Sequence, residues 1–558
     1  MRSAFAFLIV LSLAACAPKA ETDAELVARA GAPLFKSMGE YHRAITTSDP
    51  GAQRYFDQGM VLGFGFNHAE AIRSFRAAQK LDPDCAMCFW GEALVTGPNI
   101  NVTSKGKAIM SAEEQTSAWA ALEKAKAVAA NKPEVERDLI AAMGTRYAPE
   151  PVADRELLDH AYAEALGALT QKYPEDDDIA AMYGEAWMNT MPWNYWSDST
   201  TPRPEIVPVI AALEQTIARS PKHPLALHLY IHAMEASATP EKAEAASDTL
   251  LTLTPGSGHL VHMPAHIYYR IGRYKDSVDA NALAAKVDED YIAQCNAQGF
   301  YPAMYYPHNI HHLWSSASMM GQSKVAIDAA RKLADNVSLE QIDQFPTVEF
   351  FKTVPLQSLV QFGKWAQIMA EPQPRADLGF SNAIWRYARG MALANTGDVA
   401  GAHAEHAQLV ALKDNPKVMV LDGNDYPASA LLQIADDLLQ GEIALAAGAN
   451  KAAIASFEAA VAGQDLLPYT EPPFWYYPTR QTLGAALLRD NKPKEAQAVF
   501  EKDLQQYPHN GWSTYGLMLA LEAQGKTDEA AMHRTHFAPI WQFADIELKS
   551  SRVTGPPT

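Results

Sequence analysis

The chain has 558 residues, of which 48% are hydrophobic and 20% are charged. This length is far above the size at which burying a core becomes difficult, and the composition is ordinary for a globular protein. The formal net charge of −19, from 46 basic and 65 acidic residues, argues against nucleic acid or an anionic lipid surface as a partner held by charge.

The first sixteen residues have the pattern of a secretory targeting segment. Arg2 supplies the positive start, residues 5–13 the apolar stretch, and residues 13–16 (Leu-Ala-Ala-Cys) a small-residue exit. The segment resembles a bacterial lipoprotein signal peptide, which implies cleavage before Cys16 and lipidation of that cysteine; the alternative is an ordinary secretory signal with an incidental cysteine. Because Ala17 follows, the resemblance to Gram-negative lipoproteins implies an anchor in the outer membrane facing the periplasm. No later apolar run is long enough to span a membrane.

A linker and an N-terminal helix are expected over residues 17–50, followed by a helical repeat. Between residues 52 and 85, small residues allow two antiparallel helices to approach, an aromatic residue fills the gap, and a proline ends the second helix. The positions concerned are Tyr55, Gly59, Ala71, Phe75, Ala78 and Pro83. The same spacing recurs at Gly441, Ala453, Phe457 and Ala460, and at Gly484, Ala496, Phe500 and Pro508.

These positions resemble the tetratricopeptide repeat (TPR), a pair of antiparallel helices with a period of 34 residues. The resemblance implies an all-α fold, an α-solenoid of TPR-like helix pairs, with a peptide or protein partner in its concave groove. The repeats are expected over residues 51–130, 131–330 and 331–558, the central group being rich in histidine. No strand pattern stands out.

Three segments rich in aromatic residues and proline interrupt the helix pattern, at residues 191–208, 288–307 and 467–478. Long loops in a compact helical array are commonly functional or disordered, and this composition favours ordered, packed loops. The sequence leaves open whether they pack on the outside or cover the groove.

Cys85 and Cys88 form a CxxC motif at a helix entry. No histidine follows, so covalent haem attachment is not indicated, and no strand-helix pattern suggests a thioredoxin-like site. A local disulfide is the favoured interpretation, with metal binding or redox work as the alternative. Cys295 is left without an obvious partner.

Nine of the 17 histidines lie between positions 223 and 312, and they recur in phase with the repeat. His228 and His232 return 34 residues later as His262 and His266, and the pair at 259 and 262 returns at 308 and 311. Residues four apart share a helix face, and successive first helices lie side by side. The imidazoles are therefore expected to line one wall of the groove.

One interpretation of this wall is a metal site for zinc, copper or iron, since neutral imidazole is a common ligand for all three. Its candidate ligands are His228, His232, His262, His266 and His311. Glu185 and Glu235, at neighbouring groove positions, are candidates for a ligand, an orienting group or a general base. No HExxH motif occurs, so a zincin-type protease is not supported.

The alternative is a wall that binds a peptide without metal. Its candidate contacts are His259, His308, Tyr230 and Trp187, although Trp187 suits an ordinary core position equally well. The sequence thus supports a membrane-anchored TPR lipoprotein that binds a peptide or protein, and alternatively a metal-binding protein or metal-dependent enzyme.

Overall fold

The computed structural model describes residues 21–295 and 300–555. In this part of the chain the fold is all-α, a succession of helix pairs with loop insertions, as predicted. The first group of helices comprises α1 (Asp23–Ala30), α2 (Pro50–Phe64), α3 (His68–Leu81), α4 (Ala86–Thr96), α5 (Ala112–Val128), α6 (Glu134–Met143), α7 (Glu156–Lys172) and α8 (Asp177–Thr190). The central helices are α9 (Ile206–Arg219), α10 (Pro224–Glu235), α11 (Glu244–Leu253), α12 (Gly258–His262), α13 (Pro264–Arg270), α14 (Tyr274–Cys295), α15 (Tyr306–Met319) and α16 (Ser323–Asn336).

The remaining helices form the C-terminal half of the array. They are α17 (Leu339–Gln344), α18 (Val354–Gln361), α19 (Trp365–Ala370), α20 (Gly379–Thr396), α21 (Val399–Leu412), α22 (Pro416–Asp422), α23 (Ala428–Ala446), α24 (Asn450–Asp465), α25 (Arg480–Arg489), α26 (Pro493–Gln506), α27 (Gly511–Ala523) and α28 (Thr527–Trp541). Two 3₁₀ helices, Pro240–Ala243 and Pro346–Thr353, and a π-helical turn, Tyr301–Tyr305, lie between them. None of the helices in the described ranges is both long and apolar enough to cross a membrane.

Four short strands, which the sequence does not predict, form two antiparallel hairpins inside loops. The strands are β1 (Thr103–Ser104), β2 (Lys107–Ala108), β3 (Trp196–Asp198) and β4 (Thr201–Pro202). The second hairpin belongs to the predicted insertion at 191–208. The insertion at 288–307 is more helical than expected, because α14 continues to Cys295 and the π-helical turn leads directly into α15.

The repeat packing follows from the small and aromatic positions. Phe75 is fully buried between two glycines of successive first helices, Gly59 on α2 and Gly91 on α4. A Cβ added at Gly59 would lie 2.8 Å from the Phe75 ring, and one at Gly91 would lie 2.3 Å from it. The absence of side chains at these glycines therefore lets each helix pair accept the ring and stack on the next pair.

Helix pairs far apart in sequence also meet. Arg43 pairs with Asp178 on α8 at 2.7 Å, and the indole of Trp512 on α27 donates to the Ser318 carbonyl at 3.0 Å. The Lys105 amide donates to the Asp425 carboxylate at 2.8 Å, which joins the first third of the chain to the last. These contacts join segments that lie far apart in the sequence.

At the start of α4 the structure joins Cys85 and Cys88 in a disulfide. Both cysteines are buried against the first repeat, and Cys295 is free and partly exposed. Cys16, the predicted lipidation site, lies outside the described residues.

Candidate functional site

The central helices bring seven imidazoles together in the interior of the array. Three pairs with a spacing of four residues come from α10, from α12 with α13, and from α15, because residues four apart point to one side of a helix. Pro264, which lacks an N–H, separates α12 from α13 without moving the second pair off this face. The cluster consists of His228, His232, His259, His262, His266, His308 and His312; all are buried except His308, which is partly exposed.

The first histidine set comprises His228, His232 and His259, whose ring nitrogens lie within 4.8 Å of one another. Nδ1–H of His228 donates to the Phe64 carbonyl at 2.7 Å, and Nδ1–H of His232 donates to Glu235 at 2.7 Å. Within the described ranges, Nε2 of both rings and both ring nitrogens of His259 have no hydrogen-bond partner. The set therefore presents buried nitrogen lone pairs to one another.

The second histidine set comprises His262, His266 and His308, again with ring nitrogens within 4.8 Å. Nδ1–H of His262 donates to the side-chain oxygen of Asn281 at 2.6 Å, and Nδ1–H of His266 donates to Glu235 at 2.5 Å. The Nε2 atoms of His262 and His266 are 2.8 Å apart. In each set, therefore, two of the three rings have Nδ1 held by an acceptor.

Glu235 connects the two sets. One carboxylate oxygen accepts from His232 and the other from His266, while the Tyr469 hydroxyl donates to it at 3.3 Å. The same hydroxyl donates to Glu471, whose carboxylate contacts Nε2 of His312 at 3.0 Å. Burial raises the pKa of Glu235, and the neighbouring His266 opposes this shift.

Burial also disfavours the charged form of the six imidazoles in the two sets. It lowers the pKa of His232 to about 3, chiefly because the charged form would lose its solvation. Burial takes the pKa of His228, His259, His262, His266 and His308 well below the usual value, and neighbouring imidazoles add to the effect. A neutral imidazole has a free nitrogen lone pair, which is the form that binds metal.

All three predicted insertions contribute an aromatic residue beside the cluster. Trp193 lies edge-on to His232 with ring centroids 5.2 Å apart, and Tyr305 lies edge-on to His259 at 4.8 Å. Tyr469 of the third insertion contacts Glu235, as described above. The insertions therefore cover the histidines, which answers the question that the sequence left open.

The first repeat closes the remaining side. Phe66, in the turn after α2, packs against His228 with ring centroids 4.7 Å apart and against His259 at 5.3 Å. Its φ of 56° is unusual for a residue with a side chain, and it aims the ring at the cluster.

His311 does not join the cluster, so its predicted place in the histidine wall is wrong. Its ring stacks on Trp314 at 5.2 Å and packs against Phe350 and Phe351. The inward pair on α15 is instead His308 and His312. Pairing by the three-residue spacing pointed to His311, whereas the four-residue spacing shared with the other two pairs points to His312.

Three further candidate residues lie away from the histidines. Burial raises the pKa of Glu185, and the positive charge of Arg146 opposes this shift. The Tyr230 hydroxyl donates to Glu214 at 2.9 Å, and Trp187 packs edge-on against His160. The predicted roles of Glu185, Tyr230 and Trp187 at a shared site are therefore corrected, because each side chain points to a different neighbour.

Sequence reasoning missed Asn281, His312, Tyr469 and Glu471. The spacing of His308 and His312 was a usable signal. Glu471 comes from a loop 159 residues from His312, and nothing in the sequence associates the two.

The chain matches no known sequence family, and no curated protein sequence matches it. Among solved structures it is similar to the human IFIT1 dimer with m7Gppp-AAAA, at 12% identity over 89% of this chain and 91% of that one, with a TM-score of 0.32. It is also similar to yeast Tom70, at 12% identity over 87% and 89% with a TM-score of 0.27, and to the P58(IPK) TPR domain, at 12% identity over 86% and 99% with a TM-score of 0.21. Scores this low carry no inference about function.

Proposed function

We propose that this chain is a metal-binding helical-repeat protein whose central repeats hold transition-metal ions, with zinc, copper or iron as the candidates. His228, His232 and His259 would bind one ion, and His262, His266 and His308 would bind a second. The observation that carries the proposal is the arrangement of the rings: in each set one nitrogen of every ring lies within 4.8 Å of the others, and in four of the six rings Nδ1 donates to a carbonyl, amide or carboxylate oxygen. Metal-binding histidines in proteins are held in this way.

The energetics support a ligand at this place. Four ring nitrogens of the first set are buried without a partner among the described residues. Each buried polar atom left unpaired costs about 1–3 kcal/mol, and a packed apolar core would avoid this penalty. A metal ion coordinated by one nitrogen of each ring removes the penalty for three of the four, because those lone pairs then have a partner; the other His259 nitrogen carries the N–H of that ring.

Two ions are expected rather than one. The ring centroids of His232 and His266 are 5.6 Å apart, and those of His259 and His262 are 5.8 Å apart, so the two sets are adjacent. Glu235 holds one histidine of each set and therefore acts as a positioning residue in this proposal. Tyr469 in turn holds Glu235 and Glu471 together.

Metal analysis of a tag-free chain lacking residues 1–16 tests the proposal. Elemental analysis should find close to two equivalents of zinc, copper or iron, and His262→Ala and His232→Ala should each lose metal. His311→Ala is the matched control, because its ring packs against Trp314, Phe350 and Phe351 outside the cluster, and it should keep the full metal content. A protein that takes up no metal after incubation with each ion, and whose melting temperature a chelator leaves unchanged, would contradict the proposal.

We also propose that the mature chain carries a lipid at Cys16 and sits in the outer membrane facing the periplasm. The support is the signal-peptide pattern of residues 1–16. Cys16→Ala should release the protein from membranes in a fractionation, and mass spectrometry of the native N-terminal peptide should detect the acyl chains. An unmodified Cys16 would contradict this proposal and favour the alternative, an ordinary secretory signal with an incidental cysteine.

A peptide or protein partner is the second candidate function. The buried histidines do not favour a partner at the central wall, because the insertions cover them. One observation favours a partner elsewhere: residues 550–555 lie across helices of the C-terminal repeats without forming a helix or strand.

A further inference from the structure

After α28 the described residues, 542–555, form no helix or strand and run back across the C-terminal repeats. Residues 550–555 lie against α20, α23 and α25, the first helices of three helix pairs, and against the start of α19. We call this surface the C-terminal groove; its contacting residues are Trp365, Asn395, Glu442 and Gln481.

Two contacts hold the backbone of the segment and do not depend on its side chains. The Trp365 indole donates to the Gly555 carbonyl at 2.7 Å, and the Gly555 amide donates to the Asn395 side chain at 3.3 Å. Backbone contacts of this type fit any chain of suitable length. A third contact uses a side chain of the segment, because the Ser551 hydroxyl donates to the Gln481 carbonyl at 2.7 Å.

One contact selects the charge of the bound residue. The Arg552 guanidinium pairs with the Glu442 carboxylate inside the groove, where the two side chains are 10% and 4% exposed. Asn395 also donates to Glu442, at 3.2 Å, and so fixes the carboxylate that receives the arginine. A buried carboxylate with its charge partner removed is strongly disfavoured, so the groove requires a cation at this position.

As far as the chain is described, to residue 555, the segment does not fill the groove. A cavity of about 360 Å³ remains beside it, and its lining combines four alanines with polar side chains (Ala394, Ala446, Ala485, Ala486, Asn395, Thr482 and Arg489). A second chain with larger side chains at the neighbouring positions would fill this space better. The resident segment is therefore a partial match to the surface that it covers.

We infer that the C-terminal groove is a binding site for an extended peptide of a partner protein, with an arginine that pairs with Glu442, and that residues 550–555 are its resident competitor. The arginine is followed in the resident segment by Val553, which lies by the Trp365 and Trp512 side chains, so an apolar residue after the arginine completes the motif. This inference does not depend on the metal centre, because no residue of the groove belongs to the histidine sets.

A fluorescein-labelled peptide with the sequence of residues 547–558 tests the inference by anisotropy. The unaltered chain should bind it weakly, because its own segment competes. The full-length Arg552→Glu chain, in which two carboxylates repel each other, should release its segment and bind the peptide roughly thirtyfold more tightly. Arg552→Ala is a smaller change that should also increase peptide affinity, and it replaces Arg552→Glu in the experiment if that variant fails to fold.

The charge swap provides the control for this experiment. Arg552→Glu combined with Glu442→Arg restores the internal pair, and the unaltered peptide should then bind no better than it binds the unaltered chain. Arg534→Glu reverses an exposed charge on α28 and should not change peptide affinity. If Arg552→Glu and Arg552→Ala fold, by circular dichroism, yet neither binds the peptide more tightly than the unaltered chain, the segment is a fixed structural element and the inference is wrong.

Discussion

Replacing Glu235 by glutamine should weaken one metal site and largely spare the other. The two carboxylate oxygens accept hydrogen bonds from Nδ1 of His232 and of His266, one histidine from each set, at 2.7 and 2.5 Å. Glutamine keeps one oxygen and replaces the other by an NH₂ group, which cannot accept from an N–H. One imidazole is therefore left without its orienting partner.

Loss of such a partner lowers metal affinity by roughly 10- to 100-fold, which corresponds to about 1.4–2.7 kcal/mol. Because both histidines share this side chain, the glutamine oxygen can accept a hydrogen bond from only one of them. A titration of the apo-protein against a chromophoric chelator should resolve two equal or near-equal affinities in the unaltered chain. In Glu235→Gln it should resolve one affinity close to the original and one weaker by this factor.

Glu185→Gln is the matched control, because Glu185 is a carboxyl in a desolvated environment beside Arg146 and away from both sets. It should leave both affinities unchanged. Equal weakening of both ions in Glu235→Gln would mean that Glu235 is itself a shared ligand. No change in either affinity would refute the assignment of Glu235 as the group that positions the two histidines.

Three further predictions concern the packing, the electrostatics and the cover of the site. Phe75→Ala should destabilise the N-terminal repeats by about 3–5 kcal/mol in urea unfolding, because a fully buried ring between two helix pairs is lost. Burial raises the pKa of Asp503 to about 6, so the folded state binds more protons than the unfolded state between pH 4 and 6 and loses stability as pH rises through that window. The melting temperature of Asp503→Asn minus that of the unaltered chain should therefore increase from pH 4 to 6 and then stay constant. A difference that does not change between pH 4 and 6 would contradict this sign. Trp193→Ala should release bound metal to a chelator several-fold faster with little change in affinity, because the Trp193 ring covers His232. Equal release rates in the variant and the unaltered chain would show that the ion leaves by a path that Trp193 does not cover.

The sequence by itself determined the local architecture. Small residues and aromatics such as Gly59 and Phe75 specify how two neighbouring helices pack, and this contact lies within one repeat. The spacing of His228 and His232, repeated 34 residues later, places four imidazoles on matching faces because helix periodicity is a local property. The aromatic insertions were also recognisable from their composition as interruptions of the repeat pattern.

The tertiary structure decided which of these features meet. The winding of the array buries the histidines, and it brings Glu471 to His312 across 159 residues of sequence. The π-helical turn before α15 precedes the helix on which His312, and not His311, faces the cluster. These contacts depend on the accumulated rotation of many helix pairs. Small differences in the packing angle of each pair add up to decide which distant residues meet. The local pattern of residues does not predict the sum of these angles.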